Sequence, residues 1–401
     1  MKNLLRIFTF AALIVLSGSC KKDPEPVNPP TPDKTPLYSV IEERELTAEE
    51  IKKSCDDMTG GKLSSFPVKI PWHPVRKVTL KYRTTGVDGK PLEVSGIVTF
   101  RTDFDSTFRG LCSVQHGTCP FHWAPSRLDF SPEAAPALAG YIVVEADYIG
   151  YGISQTETFN HPYLHTASTS QACYDMLLAA REYLEKAKIN YHDQTLLAGV
   201  SQGGNATVAL LEKLEKEQYP NIGEVFAAGP PLSITTIFTT LLTDSLKYSN
   251  YTKPGFALQI IRAMNECHQL DLDWSLIFKP KYQTVLGILD SVDFYMANEN
   301  LTRNMREVFH EDFFTPDPAT RNSELAKLFG AFKKNDLVPR YHPQHHVQLF
   351  HTPTDEIIPY KISVDAVNFD HNYTLSDLSS KDHLTACLEF YIWLVLVHMN
   401  V

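Results

Sequence analysis

The sequence lacks several features that would place it in common functional classes. It contains seven cysteines but no C-x-x-C pair, so a zinc or dithiol redox site of that kind has no support. Its 37 Lys and Arg residues are outnumbered by 47 Asp and Glu residues, and the net charge of −10 argues against a nucleic-acid-binding surface. The N-terminal apolar run, which ends at Leu16, is shorter than the roughly 20 residues that a membrane-spanning helix needs. The hydrophobic fraction of 43% is nevertheless too high for a disordered chain, so we expect a large buried core.

The N-terminus has the pattern of an export signal. Residues 1–19 carry Lys2 and Arg6, then the apolar run, then small residues before Cys20. Such a segment is removed on export and is not part of the fold. It resembles a bacterial lipoprotein signal, and this resemblance implies that Cys20 is lipidated and becomes the first residue of the mature chain. An ordinary cleaved secretory signal is the alternative.

A proline-rich segment follows Cys20. Residues 21–36 contain six prolines in sixteen positions, so we expect them to stay extended at about 3.1 Å per residue and to span up to about 50 Å. We therefore interpret residues 20–36 as a lipidated tether and residues 37–401 as the folded domain. Removal of the signal changes the net charge to −12 because two basic residues and no acidic ones are lost. The six remaining cysteines allow 15 disulfide connectivities, and the sequence does not choose among them.

The folded domain begins with β-strand patterns. Two β-rich runs, 75–85 and 91–100, flank a turn signal at Asp88-Gly89 and predict an antiparallel hairpin. After this hairpin, apolar runs alternate with helical patterns, which implies βαβ units and a parallel sheet. The apolar runs are 110–115, 141–146, 195–200 and 224–228.

Helical periodicity separates and follows these strands. A pattern of apolar residues four apart predicts a helix over 166–188, and another helix is predicted over 203–217. Residues 232–343 are rich in large apolar residues without strand alternation, so we expect a helical insertion there. The sheet pattern resumes at 346–351, and two further helices are predicted over 358–369 and 383–398. The predicted fold is α/β, with a mostly parallel sheet flanked by helices and a large helical cap.

The most specific local motif is GVSQGG at residues 199–204. Its G-x-S-x-G form, between a predicted strand and a predicted helix, is typical of a turn that exposes a nucleophilic serine, here Ser201. Glycines two residues before and after the serine leave room for a tight turn. The pattern is expected by chance about 0.1 times in a chain of this length. A glycine-rich turn without chemistry is the alternative.

A serine becomes nucleophilic when a base removes its proton and a third group orients the base. Asp355 follows an apolar strand in the segment HTPTDEIIP, where its carboxylate would lie at the edge of the sheet, and Glu356 is the alternative acid. His383 precedes the final helix and is the predicted base. His371 is the competing histidine, whereas His398 lies at the end of the predicted helix.

Acyl transfer also needs N–H donors for the oxyanion that develops in the transition state. One predicted donor is the backbone N–H of Gln202, which follows the nucleophile. The second is the backbone N–H of Thr118, in the loop after the strand at 110–115. We interpret His116, which precedes Gly117 in the same loop, as a structural residue and not as a base.

Taken together, these motifs resemble the secreted lipases and esterases of the α/β-hydrolase superfamily. The resemblance covers roughly residues 75–398 and implies the α/β-hydrolase fold, with nucleophile, acid and base in that order along the chain. The matching elements, in chain order, are His116-Gly117, DYIGYG at 147–152, HPYL at 161–164, GVSQGG at 199–204, the insertion at 232–343, Asp355 and His383.

Two other features, a group of histidines and a single aspartate, could suggest a functional site but have simpler interpretations. Four histidines flank the strand at 346–351, without the helical i, i+4 spacing of a metal site, and we predict no metal there; they are His342, His345, His346 and His351. Asp147 follows a strand end and is interpreted as a residue that shapes its loop.

The sequence therefore predicts a serine hydrolase of carboxylic esters that requires no cofactor or metal. Its substrate would be a small-molecule ester or an acylated polymer, without a nucleic-acid partner. The protein would be exported and lipid-anchored to a bacterial membrane, on its periplasmic or cell-surface side. An aminoacyl or peptidyl hydrolase with the same triad is one alternative. A non-catalytic ligand-binding surface lipoprotein is another, although no triad member is missing.

Overall fold

The structure is a computed structural model, and the signal peptide, Cys20 and the tether up to residue 35 lie outside its described residues. It describes residues 36–61, 70–104, 106–119, 124–127, 129–156, 161–243, 249–251, 253–287, 289, 301–315 and 321–400. From Leu37 onward these residues belong to one compact unit. In the described part of the chain, no helix is both long enough and apolar enough to cross a membrane.

A nine-stranded sheet, counted over the described residues, forms the centre of this unit. Its spatial order is β1-β2-β3-β5-β4-β6-β7-β8-β9. The pairs β1–β2, β2–β3 and β3–β5 are antiparallel, and the remaining neighbours are parallel. The strands are β1 Tyr38–Leu46, β2 Val75–Thr85, β3 Pro91–Arg101, β4 Leu111–Gln115, β5 Ile142–Ala146, β6 Thr195–Val200, β7 Ile222–Ala228, β8 Val347–His351 and β9 Tyr373–Asp377.

The central parallel strands are buried on both faces, which explains their continuous apolar sequences. In β6, Leu197 belongs to the core on one face of the sheet, whereas Leu196 and Ala198 belong to the core on the other. This division follows the two-residue period of a strand. The same alternation places Val225 on the first face and Phe226 on the second.

Helices cover both faces of the sheet. The helices are α1 Ala48–Thr59, α2 Thr166–Lys186, α3 Gln202–Lys216, α4 Ile234–Thr243, α5 Pro254–Cys267, α6 Met305–Val308, α7 Ser323–Asn335, α8 Lys361–Phe369 and α9 His383–Ile392. On the first face, α2 and α3 contribute Leu177 and Leu210 to the core, and on the second, α1 and α9 contribute Ile51 and Phe390. A π-helical segment, Trp393–His398, continues α9.

The insertion between β7 and β8 is helical, as the sequence predicts. It contains α4 to α7 and several short 3₁₀ turns. Its own apolar side chains pack against one another through stacked aromatic rings, such as Phe238 on Phe332 with centroids 4.6 Å apart and Phe309 on Phe313 at 4.3 Å. The insertion is therefore a packed element with its own aromatic centre.

Two strands were not anticipated from the sequence, and both lie at the edges of the sheet. Most residues of β1 are exposed, and its sequence, YSVIEEREL, lacks the apolar runs that identify the central strands. β9 is short and only partly buried. Among the described residues, the six cysteines form no disulfide with one another.

Candidate active site

Ser201 lies on a strained turn between β6 and α3. Its φ of 54° and ψ of −122° place it outside the regions that residues with a side chain normally adopt. A Cβ on Gly203 would lie 1.9 Å from the carbonyl oxygen of Gln115, and one on Gly199 would lie 2.4 Å from the carbonyl oxygen of Gly203. These close contacts are the physical reason for the G-x-S-x-G spacing. The Ser201 N–H donates to the carbonyl of Ala228 at 2.8 Å, which ties the turn to β7.

Asp355 and His383 meet in a buried hydrogen bond. Asp355 follows β8 and His383 begins α9, and the two residues are 4% and 3% exposed. The His383 Nδ1–H donates to Asp355 Oδ2 at 2.6 Å. The structure thus brings together the two residues that the sequence predicts as acid and base.

The competing acid and histidines lie elsewhere. The Glu356 carboxylate accepts the backbone N–H of His383 at 3.0 Å and does not contact its ring. The side chain of His371 is 91% exposed. His398 contacts Glu224 at 2.8 Å.

The three predicted triad residues follow the carboxyl ends of the parallel strands β6, β8 and β9, at the edge where ligand sites of α/β sheets form. Gly229, directly after β7, separates the serine turn from the imidazole: a Cβ there would lie 3.2 Å from His383 Cε1. The Ser201 hydroxyl makes no capping hydrogen bond to α3, and among the described residues it is not hydrogen-bonded to His383. Such contacts are often long without substrate and tighten when it binds.

The Asp355 carboxylate is saturated with donors. Its Oδ1 accepts the backbone N–H groups of Ile357 and Ile358 at 2.9 and 2.7 Å, and its Oδ2 accepts from His383 and, at 3.1 Å, from His351 Nε2. Burial acts to raise the pKa of this carboxyl, but the hydrogen bonds from the two imidazoles outweigh burial and hold the pKa well below its usual range. Asp355 is therefore a carboxylate throughout the neutral range.

The environment of His383 favours its protonated form. Burial acts to lower its pKa, whereas Cys387 and the hydrogen bond to Asp355 raise it, and the net shift is upward. The Cys387 thiol lies 3.9 Å from His383 Nε2. The imidazole is thus held between a carboxylate on Nδ1 and a thiol near Nε2.

Gln202, one of the two predicted oxyanion donors, is the first residue of α3. The first N–H groups of a helix have no partner within that helix, so they can bind an anion. Its side-chain amide donates to His161 Nε2 at 2.6 Å, and His161 Nδ1–H donates to the carbonyl of Ile149 at 2.7 Å. Burial lowers the pKa of His161 to about 3, so the ring is neutral and can accept from the amide. The HPYL segment therefore fixes the start of α3, a role that sequence analysis missed.

Thr118, the second predicted donor, lies in the loop after β4. Its hydroxyl is 2.7 Å from the hydroxyl of Tyr163, whose ring stacks on Phe256 of α5. A Cβ on Gly117 would lie 3.5 Å from the side chain of Val200, so this loop runs beside the serine turn. The loop is thus close to Ser201, and the role of Thr118 stays a prediction.

His116 and Asp147 make structural contacts. His116 Nδ1–H donates to the Gly117 carbonyl at 2.7 Å, and its ring stacks on Tyr148 with centroids 4.0 Å apart. Asp147 accepts from the Ser95 hydroxyl at 2.5 Å and from the Ser126 N–H at 2.8 Å. Both residues hold loops beside the site, and neither contacts Ser201 or His383.

The four histidines around β8 do not converge on one point. Each contacts a different group: His342 Asp370, His345 Glu215, His346 Thr374 and His351 Asp355. Among the described residues, no group of three or more His, Cys, Asp or Glu side chains is placed to hold a metal ion. His351 is the member of this set that contacts the candidate site.

Comparison with known proteins identifies the fold. No protein-family model matches the chain, and no curated protein is significantly similar. A rice cell wall degrading esterase, LipA, from Xanthomonas oryzae is 20% identical, with a TM-score of 0.71 over 90% of this chain and 98% of that one. A putative hydrolase from Legionella pneumophila is 19% identical, with a TM-score of 0.73 over 90% and 96%. Lipase A from Candida antarctica in its closed state is 18% identical, with a TM-score of 0.58 over 86% and 78%. The chain has the α/β-hydrolase fold.

Proposed function

We propose that this chain is a serine hydrolase that cleaves carboxylic esters through an acyl-enzyme intermediate. The observation that carries the proposal is the buried 2.6 Å hydrogen bond between His383 and Asp355, at the same sheet edge as the strained turn at Ser201. This combination supplies a nucleophile, a base and a group that orients the base.

The chemistry follows from the tautomer of His383. In the neutral imidazole, Nδ1–H donates to Asp355, so Nε2 carries the lone pair and can accept the proton of the Ser201 hydroxyl as the oxygen attacks the ester carbonyl. The protonated imidazole then gives that proton to the leaving alcohol. Water attacks the acyl-enzyme by the same route and releases the acid.

The tetrahedral intermediate needs donors for its oxyanion. We assign this role to the backbone N–H groups of Gln202, at the start of α3, and Thr118, in the loop beside the turn. Each such donor contributes about 2.7–4 kcal/mol in comparable sites. The buried contact between Gln202 and His161 would keep the start of α3 rigid during turnover.

Esters, as opposed to amides, are the proposed substrates because two of the similar solved structures are an esterase and a lipase. The net charge of −10, or −12 without the signal, favours a neutral ester over an anionic polymer. A panel of aryl esters of increasing acyl length, assayed beside aminoacyl anilides, tests this preference. Cleavage of the anilides without cleavage of any ester would instead support the aminoacyl or peptidyl hydrolase.

The location is also a proposal. We propose that the chain is exported and anchored by a lipid on Cys20, with residues 21–36 as the tether. This proposal is supported by the similarity to LipA from Xanthomonas oryzae, an esterase that degrades rice cell walls. The proposed substrates are therefore esters outside the cytoplasm.

A fluorophosphonate probe tests the nucleophile directly. We expect the probe to label the wild-type protein and the control Ser275→Ala, in which an exposed serine of the insertion is removed, but not Ser201→Ala. Hydrolysis of aryl esters should fall by several orders of magnitude in Ser201→Ala alone. Labelling that persists in Ser201→Ala would refute the assignment. No labelling of the wild type, together with tight binding of a glycan, would support the non-catalytic alternative.

A further inference from the structure

His351 is a second buried histidine on the predicted catalytic carboxylate. It is the last residue of β8, four positions before Asp355, and is 1% exposed. Its Nε2 lies 3.1 Å from Asp355 Oδ2, and its Nδ1 lies 2.8 Å from the hydroxyl of Ser363. Ser363 belongs to α8 and is fully buried. The ring is therefore held at both nitrogens, by two different elements.

These two contacts determine the tautomer of His351. The Asp355 carboxylate is ionised and can only accept a hydrogen bond, so the proton of a neutral His351 must be on Nε2. Its Nδ1 then has the lone pair and accepts the hydroxyl proton of Ser363. The result is a directed chain of hydrogen bonds from Ser363 through His351 to Asp355.

This chain of hydrogen bonds ends on Asp355 Oδ2, the oxygen that also accepts from the predicted base, His383. Asp355 Oδ2 accepts from His383 at 2.6 Å and from His351 at 3.1 Å, whereas Oδ1 is occupied by two backbone N–H groups. A carboxylate oxygen that accepts a second hydrogen bond is a weaker acceptor for the first. The donor from His351 therefore limits how strongly Asp355 stabilises a proton on His383.

We propose that His351 is a positioning residue of the catalytic triad, which fixes the rotation of the Asp355 carboxylate and lowers its hold on the proton of His383. The inference rests on the proposed function and adds a residue to it. Without the donor from His351, the carboxylate would turn more easily about its Cβ–Cγ bond and would bind protonated His383 more strongly. The base would then lose its proton only at higher pH.

Other groups that can carry charge also lie near His351, Asp355 and His383, and we expect their charges to stay the same without the donor from His351. The Glu356 carboxylate accepts the His383 backbone N–H, and the Cys387 thiol lies 3.9 Å from His383 Nε2. The ring of Tyr360 contacts His351 with centroids 5.4 Å apart, and Asp377 pairs with His351 across β8 and β9. The charges of Asp355 and Glu356 also act on the buried Tyr251 hydroxyl of the insertion, and burial raises the pKa of that hydroxyl, so it stays neutral.

The test compares His351→Leu, which removes the donor, with His351→Gln, which can keep an N–H near the position of Nε2. We expect kcat for an aryl ester to fall about tenfold to a hundredfold in His351→Leu, the change expected from loss of one charge-assisted hydrogen bond, with little change in KM. The acidic limb of the profile of kcat/KM against pH should move upward by about half a unit or more. His351→Gln should keep kcat and the position of the acidic limb close to the wild-type values. The control His346→Leu, an exposed histidine on Thr374, should match the wild type.

A purely structural role predicts a different result. In that case His351→Leu would lower the fraction of protein labelled by the fluorophosphonate probe but would leave kcat per labelled site and the pH limb unchanged, and the proposal would be wrong. A downward shift of the limb would also overturn it. If His351→Leu does not fold, Ser363→Ala provides the test, with a smaller upward shift expected and an unchanged profile counting against the proposal.

A spectroscopic measurement separates this inference from the proposed function. The imidazole N–H protons of His351 and His383 should give two downfield proton resonances in the wild type, and Asp355→Asn should shift both. Removal of His351 should delete one resonance and move the other. If the wild type neither hydrolyses esters nor reacts with the probe, the proposed function fails. If the wild type is active but the His383 resonance does not respond to His351→Leu, only the positioning role fails.

Discussion

Gly203 shows at the level of one residue how closely the serine turn is packed. Because a Cβ there would lie 1.9 Å from a backbone carbonyl oxygen, the turn can accept a side chain only by moving. We expect Gly203→Ala to lower the free energy of unfolding by about 3 kcal/mol or more and to abolish probe labelling. The free energy is measured by urea denaturation.

The matched control is Gly330→Ala in α7. Gly330 has nothing within 4 Å of its Cβ position and lies inside a helix. Replacing it should stabilise the protein by up to about 1 kcal/mol, because alanine favours a helix over glycine. Equal effects of the two substitutions would show that the turn is less constrained than these distances require.

Asp355 gives a pH-dependent prediction at the same scale. Its pKa is lower in the folded chain than in the unfolded chain, so its contribution to stability is complete above the unfolded pKa of about 4 and is lost as the pH falls below that value. We expect Asp355→Asn to be less stable than the wild type by about 1–3 kcal/mol at pH 7. The difference should shrink between pH 4 and pH 3 in urea denaturation. A difference that is constant from pH 7 to pH 3 would contradict the assigned shift.

The sequence predicted Asp355 and His383 as acid and base but not the residues that contact them. Asp355 and His383 follow from the order of motifs, since each lies next to a recognisable strand or helix. The contacts of His351 with Asp355 and of His161 with Gln202 are also between residues of motifs that the sequence contains. Which ring nitrogen meets which oxygen or amide depends on the placement of separate elements, and no pattern along the chain reports it.

At the scale of elements, β5 contains a buried carboxyl that works against stability. Glu145 is fully buried, and neither oxygen of its side chain has a hydrogen-bond partner in the described structure. Burial, reinforced by Glu133 and partly offset by Lys77, raises the pKa of Glu145 well above its usual value. Its stability penalty is therefore absent below the unfolded pKa of about 4.3 and grows as the pH rises.

Replacing this carboxyl should stabilise the fold at neutral pH. We expect Glu145→Gln to gain about 1–3 kcal/mol in the free energy of unfolding at pH 7 and little at pH 4, because an amide remains neutral at both. The control Glu42→Gln, exposed on β1, should change little at either pH. Urea denaturation at both pH values provides the comparison, and a loss of stability at pH 7 would assign Glu145 a favourable role instead.

The central strands that sequence patterns located are those with buried faces on both sides. The run TLLAGV became β6 with unchanged bounds, whereas the edge strands β1 and β9 were missed. An edge strand has one open side and few buried residues, so its hydrophobic signal is weak. Its position is determined by pairing with a neighbour that is distant in sequence, as β9 pairs with β8.

For the whole molecule, the proposed lipid anchor gives the clearest prediction. We expect Cys20→Ser to move the protein from the membrane fraction to the soluble fraction when it is expressed with its signal in a bacterium that processes lipoproteins. The turnover number for an aryl ester should not change, because the folded unit begins after the tether. The control Cys267→Ser, at a free cysteine of α5, should remain in the membrane fraction. Membrane association that survives Cys20→Ser would argue for a different means of attachment.

The sequence by itself determined the strand and helix alternation, the helical insertion and the identities of Ser201, Asp355 and His383 as candidates. These depend on local patterns: a period of two or of about four, a glycine pair around a serine, and a polar residue directly after an apolar run. Only the tertiary structure decided that Asp355 Oδ2 accepts from two imidazoles and that a neutral His161 holds Gln202. A hydrogen bond requires atoms within about 3 Å, and that proximity arises only when strands and helices far apart in the sequence pack together.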